Sequence, residues 1–245
     1  MNFAGRSVLV TGGTRGIGKA IAHRFAALGT AKIALGYLRN DSAAEEAADE
    51  LRKAGTEPVL VRGNVASDRV VVEFASHGPY HAVVHNAATG VIRPALETED
   101  KHWDWTLGAN ARALLSLARA CAPDMKPGST FVGVSSLGSI RVLENYVLVG
   151  TSKAALESVV RYLAVELAPR GIRVNAVSAG VVETEALEYF PNREQMLKAA
   201  HARTPAGRMV EPEDVAAAVM YLCSPEAEMV RGQTLIVDGG YSLLA

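Results

Sequence analysis

Short runs of apolar and β-branched residues alternate with longer amphipathic stretches along the whole chain. The runs that predict strands are Ser7–Val10, Lys32–Gly36, Pro58–Arg62, His81–His85, Thr130–Ser135, Arg173–Ser178 and Thr234–Val237. The stretches with helical spacing are Ile17–Leu28, Ala43–Ala54, Asp68–Ala75, Trp103–Cys121, Val147–Ala168 and Glu213–Leu222. Because strands that are apolar on both faces need helices on both sides, this alternation predicts an α/β fold with a doubly wound parallel sheet of about seven strands.

The rhythm is interrupted once, between Ala179 and Gly207, where only a helix-like piece over Glu194–His201 stands out. We see no linker or internal repeat elsewhere, so residues 1–245 are predicted to form a single domain. The interruption follows the carboxyl end of the sixth strand, where doubly wound folds bind ligands. It therefore predicts a substrate loop or lid over about residues 183–208, before the last helix, and the alternative is a plain surface connection.

Composition places the chain among ordinary globular proteins, with 49% hydrophobic and 21% charged residues and a formal net charge of -1. A balanced charge gives no reason to expect a nucleic-acid or anionic membrane partner. No apolar run is long enough to span a bilayer, and the start of the chain lacks the apolar core of a signal peptide. We therefore expect a cytoplasmic protein.

The potential metal ligands are scattered. Cys121 and Cys223 are isolated within helix-like patterns, which favours buried free thiols over a disulfide. The six histidines have no zinc-type spacing with cysteines or carboxylates. No metal site is predicted.

A glycine-rich turn joins the first strand to the first helix. Glycines at such a junction allow a tight turn and let backbone N–H groups approach a pyrophosphate, which lies at the positive end of the helix. The turn therefore predicts dinucleotide binding on a Rossmann-type sheet, although a purely structural turn can use the same residues. The residues assigned to the cofactor here are Gly12, Thr14, Arg15, Gly16, Ile17 and Gly18.

The end of the second strand predicts which dinucleotide binds. An acidic residue about twenty positions after the glycines would hold the ribose 2′-hydroxyl of NAD, but the first acid here is Asp41. Arg15 and Arg39 are instead available for charge-assisted bonds to a 2′-phosphate, unless they are simply solvated surface residues. This pattern favours NADPH.

Further motifs resemble the short-chain dehydrogenase/reductase family over essentially the whole chain. They are Asn64-Val65, His85-Asn86-Ala87-Ala88, Asn110, Ser135-Ser136, Ser178-Ala179-Gly180 with Val182 and Thr184, and Asp238-Gly239-Gly240. The resemblance implies that Asn64 and Val65 contact the adenine. It further implies that the segment of Asn86 and Ala87 supports the adenosine side. Gly180, Val182 and Thr184 correspond to the family segment that grips the nicotinamide carboxamide.

The chain departs from the family at the catalytic tyrosine. Members usually carry Tyr-x-x-x-Lys, whereas the residue four before Lys153 is Val149 and the nearest upstream tyrosine is Tyr146. Seven helical residues at about 100° each return to within roughly 20° of the starting direction, some 10 Å further along the axis. Tyr146 and Lys153 are therefore expected to share one helix face.

The Tyr-x₆-Lys spacing is that of enoyl-acyl-carrier-protein reductases, and the flanking stretches look closest to the NADPH-dependent type III bacterial enzymes. The resemblance implies an enoyl thioester reductase of fatty acid or polyketide biosynthesis. Tyr146 is then the candidate donor to the enolate oxygen, with Lys153 on the nicotinamide ribose and favouring phenolate character in the tyrosine. Ser136 supplies a second hydrogen bond, and Asn110 holds a water or helix backbone near Lys153.

Two other functions remain open at this point. One is a ketoreductase of 3-oxoacyl thioesters or related carbonyls, since the same hydride and tyrosine can reduce a carbonyl. The other is a non-catalytic NADP-binding sensor or scaffold, which Val149 favours because the usual tyrosine position is empty. The resemblance also implies an acyl carrier protein as the substrate's carrier and a homotetramer that buries the two long helices.

Overall fold

One seven-stranded sheet organises the computed structural model, which describes residues 2–184, 187 and 193–244. All neighbouring strands are parallel, in the order β3-β2-β1-β4-β5-β6-β7. The strand order reverses between β1 and β4, so the crevice for a ligand opens beyond the carboxyl ends of these two strands. The strands are β1 (Ser7–Thr11), β2 (Lys32–Tyr37), β3 (Glu57–Arg62), β4 (Ala82–His85), β5 (Thr130–Ser136), β6 (Arg173–Ala179) and β7 (Thr234–Val237).

Helices cover both faces of the sheet, and each face has its own apolar core. One core packs residues of α3, α5 and α6 against the sheet, and the other packs residues of α1, α2 and α8. The helices are α1 (Gly16–Ala27), α2 (Asp41–Lys53), α3 (Asp68–Ser76), α4 (Asp100–Leu107), α5 (Ala113–Cys121), α6 (Val147–Glu166), α7 (Arg193–Arg203) and α8 (Pro212–Cys223). This arrangement confirms the predicted doubly wound α/β fold, with element ends within two residues of prediction in most cases.

The predicted helix Trp103–Cys121 was wrong in one respect. Its region begins at Asp100 and is divided by a π-helical turn over Gly108–Arg112 that separates α4 from α5. Such a turn widens the helix by one residue and often marks a functional site. The spacing of apolar residues did not reveal the π-helical turn. One extra residue in a turn leaves apolar side chains on the buried side of the helix, so the helical pattern continues through it.

The predicted substrate loop is described only in part. A parallel bridge joins Val182 to Val210, and α7 lies between them, slightly longer than the helix-like piece foreseen. Residues 185–186 and 188–192 of this segment lie outside the described residues. The loop's role as a lid therefore stays a prediction.

Cys121 and Cys223 are buried free thiols, as predicted. Within the described ranges, no group of three or more histidine, cysteine or carboxylate side chains is arranged to hold a metal ion. The helices in the same part of the chain are all too short or too polar to cross a bilayer.

Candidate active site

Gly12 and Gly18 are two positions in the turn after β1 at which the backbone leaves room only for glycine. Gly12 has a φ of +62°, and a Cβ there would lie 3.0 Å from the backbone Cα of Ala87. A Cβ on Gly18 would lie 2.0 Å from the carbonyl oxygen of Gly12. The backbone of the turn is therefore tightly packed, and its N–H groups lie at the start of α1. A pyrophosphate binds to backbone N–H groups at such a helix start. The turn fits a dinucleotide.

The side chains of Thr11 and Asn86 hold this turn in place through hydrogen bonds. The Asn86 amide donates to the carbonyl oxygen of Gly12 at 2.9 Å, and the Thr11 hydroxyl accepts from the backbone N–H groups of Asn86 and Ala87 at 3.1 Å each. Thr14, within the turn, is also buried. The segment after β4 therefore holds the glycine turn in place.

The end of β2 carries no carboxylate free to hold a ribose. Asp41 begins α2, and its carboxylate pairs with Arg62 at 3.2 Å. Arg39 lies between β2 and α2 with an exposed side chain, and Arg15 is exposed at the start of α1. This arrangement suits an anionic group beside β2 better than a bare ribose.

The remaining cofactor residues lie on loops that follow strand ends. Asn64 is exposed after β3 and its side chain accepts from the N–H of Ala66 at 2.9 Å, while Val65 is buried. Gly180 follows β6 and donates its N–H to Val237 at 2.9 Å. Thr184 lies over the glycine turn, because a Cβ on Gly16 would meet its methyl group at 3.4 Å. The loops after β3 and β6 thus extend beyond the same edge of the sheet as the turn.

Asn110 lies at the centre of the π-helical turn and is fully buried. Its amide group bonds both backbone groups of Thr89, accepting from N–H at 2.8 Å and donating to the carbonyl at 2.9 Å. It also donates to the Ser152 hydroxyl at 2.8 Å, and Ser152 donates to the carbonyl of Val149 at 2.7 Å. Asn110 therefore ties the loop after β4 to the first turns of α6, directly beside Lys153.

Lys153 is buried, and its ammonium donates to the carbonyl of Val134 at 2.7 Å. Burial lowers its pKa to about 8, and the carboxylate of Glu157, one turn further along α6, acts in the opposite direction. Glu157 is buried as well and accepts from the Ser135 hydroxyl at 2.5 Å. The lysine is thus held in a dry site with its carboxylate neighbour on the same helix.

Tyr146 lies at the N-cap of α6 and not inside the helix, with φ −106° and ψ 13°. The helix begins at Val147 as predicted, so Tyr146 directly precedes the helical turns that the face argument counted it with. Its ring packs on the backbone of Gly138, where a Cβ would come within 2.5 Å of the ring. Burial raises the pKa of Tyr146, and a hydrogen bond with the Ser136 side chain partly offsets this rise. The raised pKa favours the neutral phenol, a hydrogen-bond donor, over the phenolate character expected beside Lys153.

Val149 is buried where the family's tyrosine usually stands. Gly90, in the loop after β4, lies against it so closely that a Cβ on that glycine would be 2.3 Å from a Val149 methyl group. An apolar contact therefore closes this position, and Tyr146, paired with Ser136, supplies the phenol at the start of α6.

Several residues that shape the site were not found from the sequence. Ser152 and Thr89 hold Asn110, Glu157 acts on Lys153, and Asn145 sets the backbone before Tyr146. Glu157 carried the clearest available signal, since a carboxylate four residues after a lysine on a helix lies on the same face. The others are small polar residues that become recognisable only through their partners in space.

Comparison with known proteins places the chain among reductases. A family model described as "Enoyl-(Acyl carrier protein) reductase" matches residues 12–242. A 1-cyclohexenylcarbonyl-CoA reductase from Streptomyces collinus is 34% identical over 244 residues, covering 97% of this chain and 87% of the relative. The hydroxynaphthalene reductase-like protein Arp2 of Metarhizium majus is 32% identical over 256 residues, covering 98% and 96%.

The fold comparison agrees with the sequence comparison. The crystal structure of a short-chain dehydrogenase from Burkholderia cenocepacia in complex with NADP superposes with a TM-score of 0.91 at 29% identity, covering 99% of this chain and all of the other. The chain therefore belongs to the short-chain dehydrogenase/reductase family of oxidoreductases, in the group described as enoyl-(acyl carrier protein) reductases.

Proposed function

We propose that the protein is an NADPH-dependent reductase of enoyl thioesters. The observation that carries the proposal is the position of Tyr146, seven residues before Lys153, bonded to Ser136 and packed on Gly138. Val149 leaves no phenol at the usual position. The name of the Streptomyces collinus relative supports this substrate class, because a cyclohexenylcarbonyl-CoA is a thioester with a double bond beside its carbonyl.

NADPH is the cofactor that this arrangement suits. The glycine turn offers its backbone to the pyrophosphate, and Asp41 is engaged by Arg62 instead of facing a ribose. Arg15 and Arg39 are the side chains for the 2′-phosphate. Asn64 and Val65 take the adenine, while Gly180, Val182 and Thr184 take the carboxamide. The Burkholderia cenocepacia structure, which contains NADP, supports this choice.

NADPH supplies a hydride when bound, and the rest of the chemistry belongs to the chain's own residues. Addition of that hydride to the β-carbon of an enoyl thioester would move the electrons of the double bond to the thioester oxygen and place negative charge there. The neutral phenol of Tyr146 donates a hydrogen bond to that oxygen, with Ser136 orienting the phenol. A proton taken from solvent water would then add to the α-carbon and complete the saturated thioester. A preorganised donor of this kind is worth a few kcal/mol at the transition state.

Lys153 and Asn110 prepare the site for this step. Lys153 would hold the nicotinamide ribose hydroxyls, and its charge would stabilise negative charge that develops nearby. Asn110 fixes the loop after β4 and the beginning of α6 through Thr89 and Ser152. Neither residue needs to touch the acyl group.

A second candidate is reduction of a carbonyl, either a 3-oxoacyl thioester or a related ketone. The specific observation in its favour is the relative from Metarhizium majus, whose name refers to hydroxynaphthalene instead of an enoyl thioester. The non-catalytic sensor has less support, since these two relatives are both named reductases. The resemblance predicts acyl carrier protein as the carrier of the thioester. The name of the Streptomyces collinus relative gives coenzyme A as the carrier.

The two reactions are separated by following NADPH absorbance with purified protein and four substrates: crotonyl and acetoacetyl thioesters, each on coenzyme A and on acyl carrier protein. We expect oxidation of NADPH with a crotonyl thioester, and loss of about 10²-fold or more in kcat for Tyr146→Phe with NADPH affinity unchanged. Tyr162→Phe, on the exposed side of α6, is the matched control. Turnover of the acetoacetyl compounds alone would establish the carbonyl reductase, and a fully active Tyr146→Phe would remove Tyr146 from the mechanism.

A further inference from the structure

His85 is a buried titratable group that none of the functions assigned so far uses. It ends β4, and its side chain is 1% exposed. It lies on the sheet face covered by α5 and α6, as do Thr11 and the π-helical turn. A buried imidazole at this position calls for hydrogen-bond partners on both ring nitrogens.

The hydrogen bonds of Thr11 determine which ring nitrogen of His85 carries the proton. The Thr11 hydroxyl already accepts two backbone N–H groups, from Asn86 and Ala87, and so both of its lone pairs are in use. Its own proton is left to donate, and the Nδ1 atom of His85 lies 3.0 Å away. Nδ1 must therefore be the unprotonated acceptor, and in the neutral ring the proton resides on Nε2.

The ring of His85 is neutral near pH 7. Burial lowers the pKa of His85 to about 4, and the charge of Lys153 adds to this effect. The backbone of Asn110 and Ala109 lies close enough to oppose it in part. Lys153 on α6 is the one charged side chain that contributes among the residues described, so the Nε2–H tautomer persists at neutral pH.

Nε2 faces the part of the helix whose hydrogen bonds are irregular. A π turn moves the bonds from i+4 to i+5, and here Ala113 donates to Gly108, so a carbonyl within the bulge lacks its ordinary partner. The Nε2 atom of His85 is buried and has no hydrogen-bond partner among the residues that the structure describes. The buried Nε2–H of His85 and a carbonyl of the widened turn that lacks its ordinary partner can therefore satisfy each other's hydrogen bonds.

We propose that His85 is a positioning residue: Thr11 fixes it as the neutral Nε2–H tautomer, and Nε2–H stabilises the backbone of the π-helical turn at Ala109 and Asn110, directly or through one buried water. The turn in turn aims the Asn110 amide at Thr89 and Ser152. His85 thus couples the glycine turn to the helix of Lys153. The proposal rests on the reductase activity but not on which double bond is reduced.

Two substitutions of His85 separate the role of the Nδ1 atom from that of the Nε2 atom. Asparagine keeps a polar atom at the position of Nδ1 but does not reach as far as Nε2, whereas glutamine places an amide at the position of Nε2. We expect His85→Asn to lower kcat by between about twofold and about tenfold, the worth of one hydrogen bond, with the Kd of NADPH within about twofold of the parent. His85→Gln should recover part of that loss. A His85→Asn protein with unchanged kcat would overturn the proposal.

A second measurement does not depend on the substrate or on the stability of the variants. In the ¹⁵N-histidine-labelled parent with NADPH bound, the long-range ¹H–¹⁵N spectrum should show a neutral His85 protonated on Nε2 at pH 7. Thr11→Val should release that preference and Thr11→Ser should keep it. A proton on Nδ1, or a charged ring, would refute the tautomer. Amide exchange at residues 110–114 should accelerate in His85→Asn even if no thioester is reduced, so failure of this proposal is distinguishable from failure of the proposed function.

Discussion

Asn145 is the one non-glycine residue with a positive φ, +58°, in the part of the chain that the structure describes, and it directly precedes Tyr146. Asparagine tolerates this left-handed conformation better than most residues. Its carbonyl accepts from the N–H of Arg93 at 2.9 Å, which joins the turn before α6 to the loop after β4. The chain thereby turns sharply enough to lay the tyrosine ring on Gly138. One backbone conformation thus supports the unusual position of the phenol.

Arg39 carries the residue-scale prediction about the cofactor. Replacing it by alanine removes a charge-assisted hydrogen bond to the 2′-phosphate, so the Kd of NADPH should rise about tenfold or more while that of NADH stays the same. Fluorescence titration with both nucleotides measures the two constants. Arg52→Ala, which removes an equal charge from the far end of α2, is the control. Equal weakening of NADH and NADPH would contradict the assignment.

The helix α6 gathers the chemistry of the site at the scale of an element. Tyr146 caps it, Ser152 receives Asn110, and Lys153 and Glu157 occupy successive turns of its buried face. A buried ammonium costs free energy, which is why the pKa of Lys153 falls to about 8. The carboxylate one turn away reduces that cost. Without it, the lysine would lose its proton at a lower pH.

Glu157→Gln tests the effect of this carboxylate on the pKa of Lys153. The carboxylate raises the pKa of Lys153, so its removal lowers that pKa further, and the charged lysine is lost earlier as pH increases. The alkaline limb of the kcat/KM profile for NADPH, which reports groups of the free enzyme, should therefore move to lower pH. Glu166→Gln, at the exposed end of the same helix, should leave the profile in place. An unchanged or upward-shifted limb in Glu157→Gln would show that Glu157 does not act on Lys153.

At the scale of the whole molecule, the helices beside the site have an apolar outer surface. Large side chains on α4, α5 and α6 are at least one-third exposed, and they are Trp103, Trp105, Leu115, Val147, Tyr162 and Val165. Apolar surface of this kind is expected at protein interfaces. It supports the prediction that these helices pack against a second copy of the chain, which the family resemblance extends to a homotetramer.

Light scattering during size-exclusion chromatography tests this prediction. The parent should elute as four chains of 25.9 kDa. Val165→Arg places a charge in the predicted interface and should give a smaller species, because an unpaired buried charge is costly. Val72→Arg alters another exposed valine, on α3, and should keep the parent's mass. A monomeric parent, or no difference between the two variants, would rule out this surface as the interface.

The sequence alone determined the α/β class, nearly all element ends, the glycine turn and the pair Tyr146 and Lys153. These depend on local periodicity, on glycine's backbone freedom and on spacing along one helix. The tertiary structure decided the rest. It placed Tyr146 at the N-cap as a neutral phenol, opened the π-helical turn, set Glu157 beside Lys153 and fixed the tautomer of His85. The contacts of the π turn and the tautomer depend on residues far apart in the chain that the parallel sheet brings together. The phenol depends on burial and on the nearby Ser136 and Gly138. The lysine's pKa, although its carboxylate is only four residues away, depends on burial that the sheet supplies.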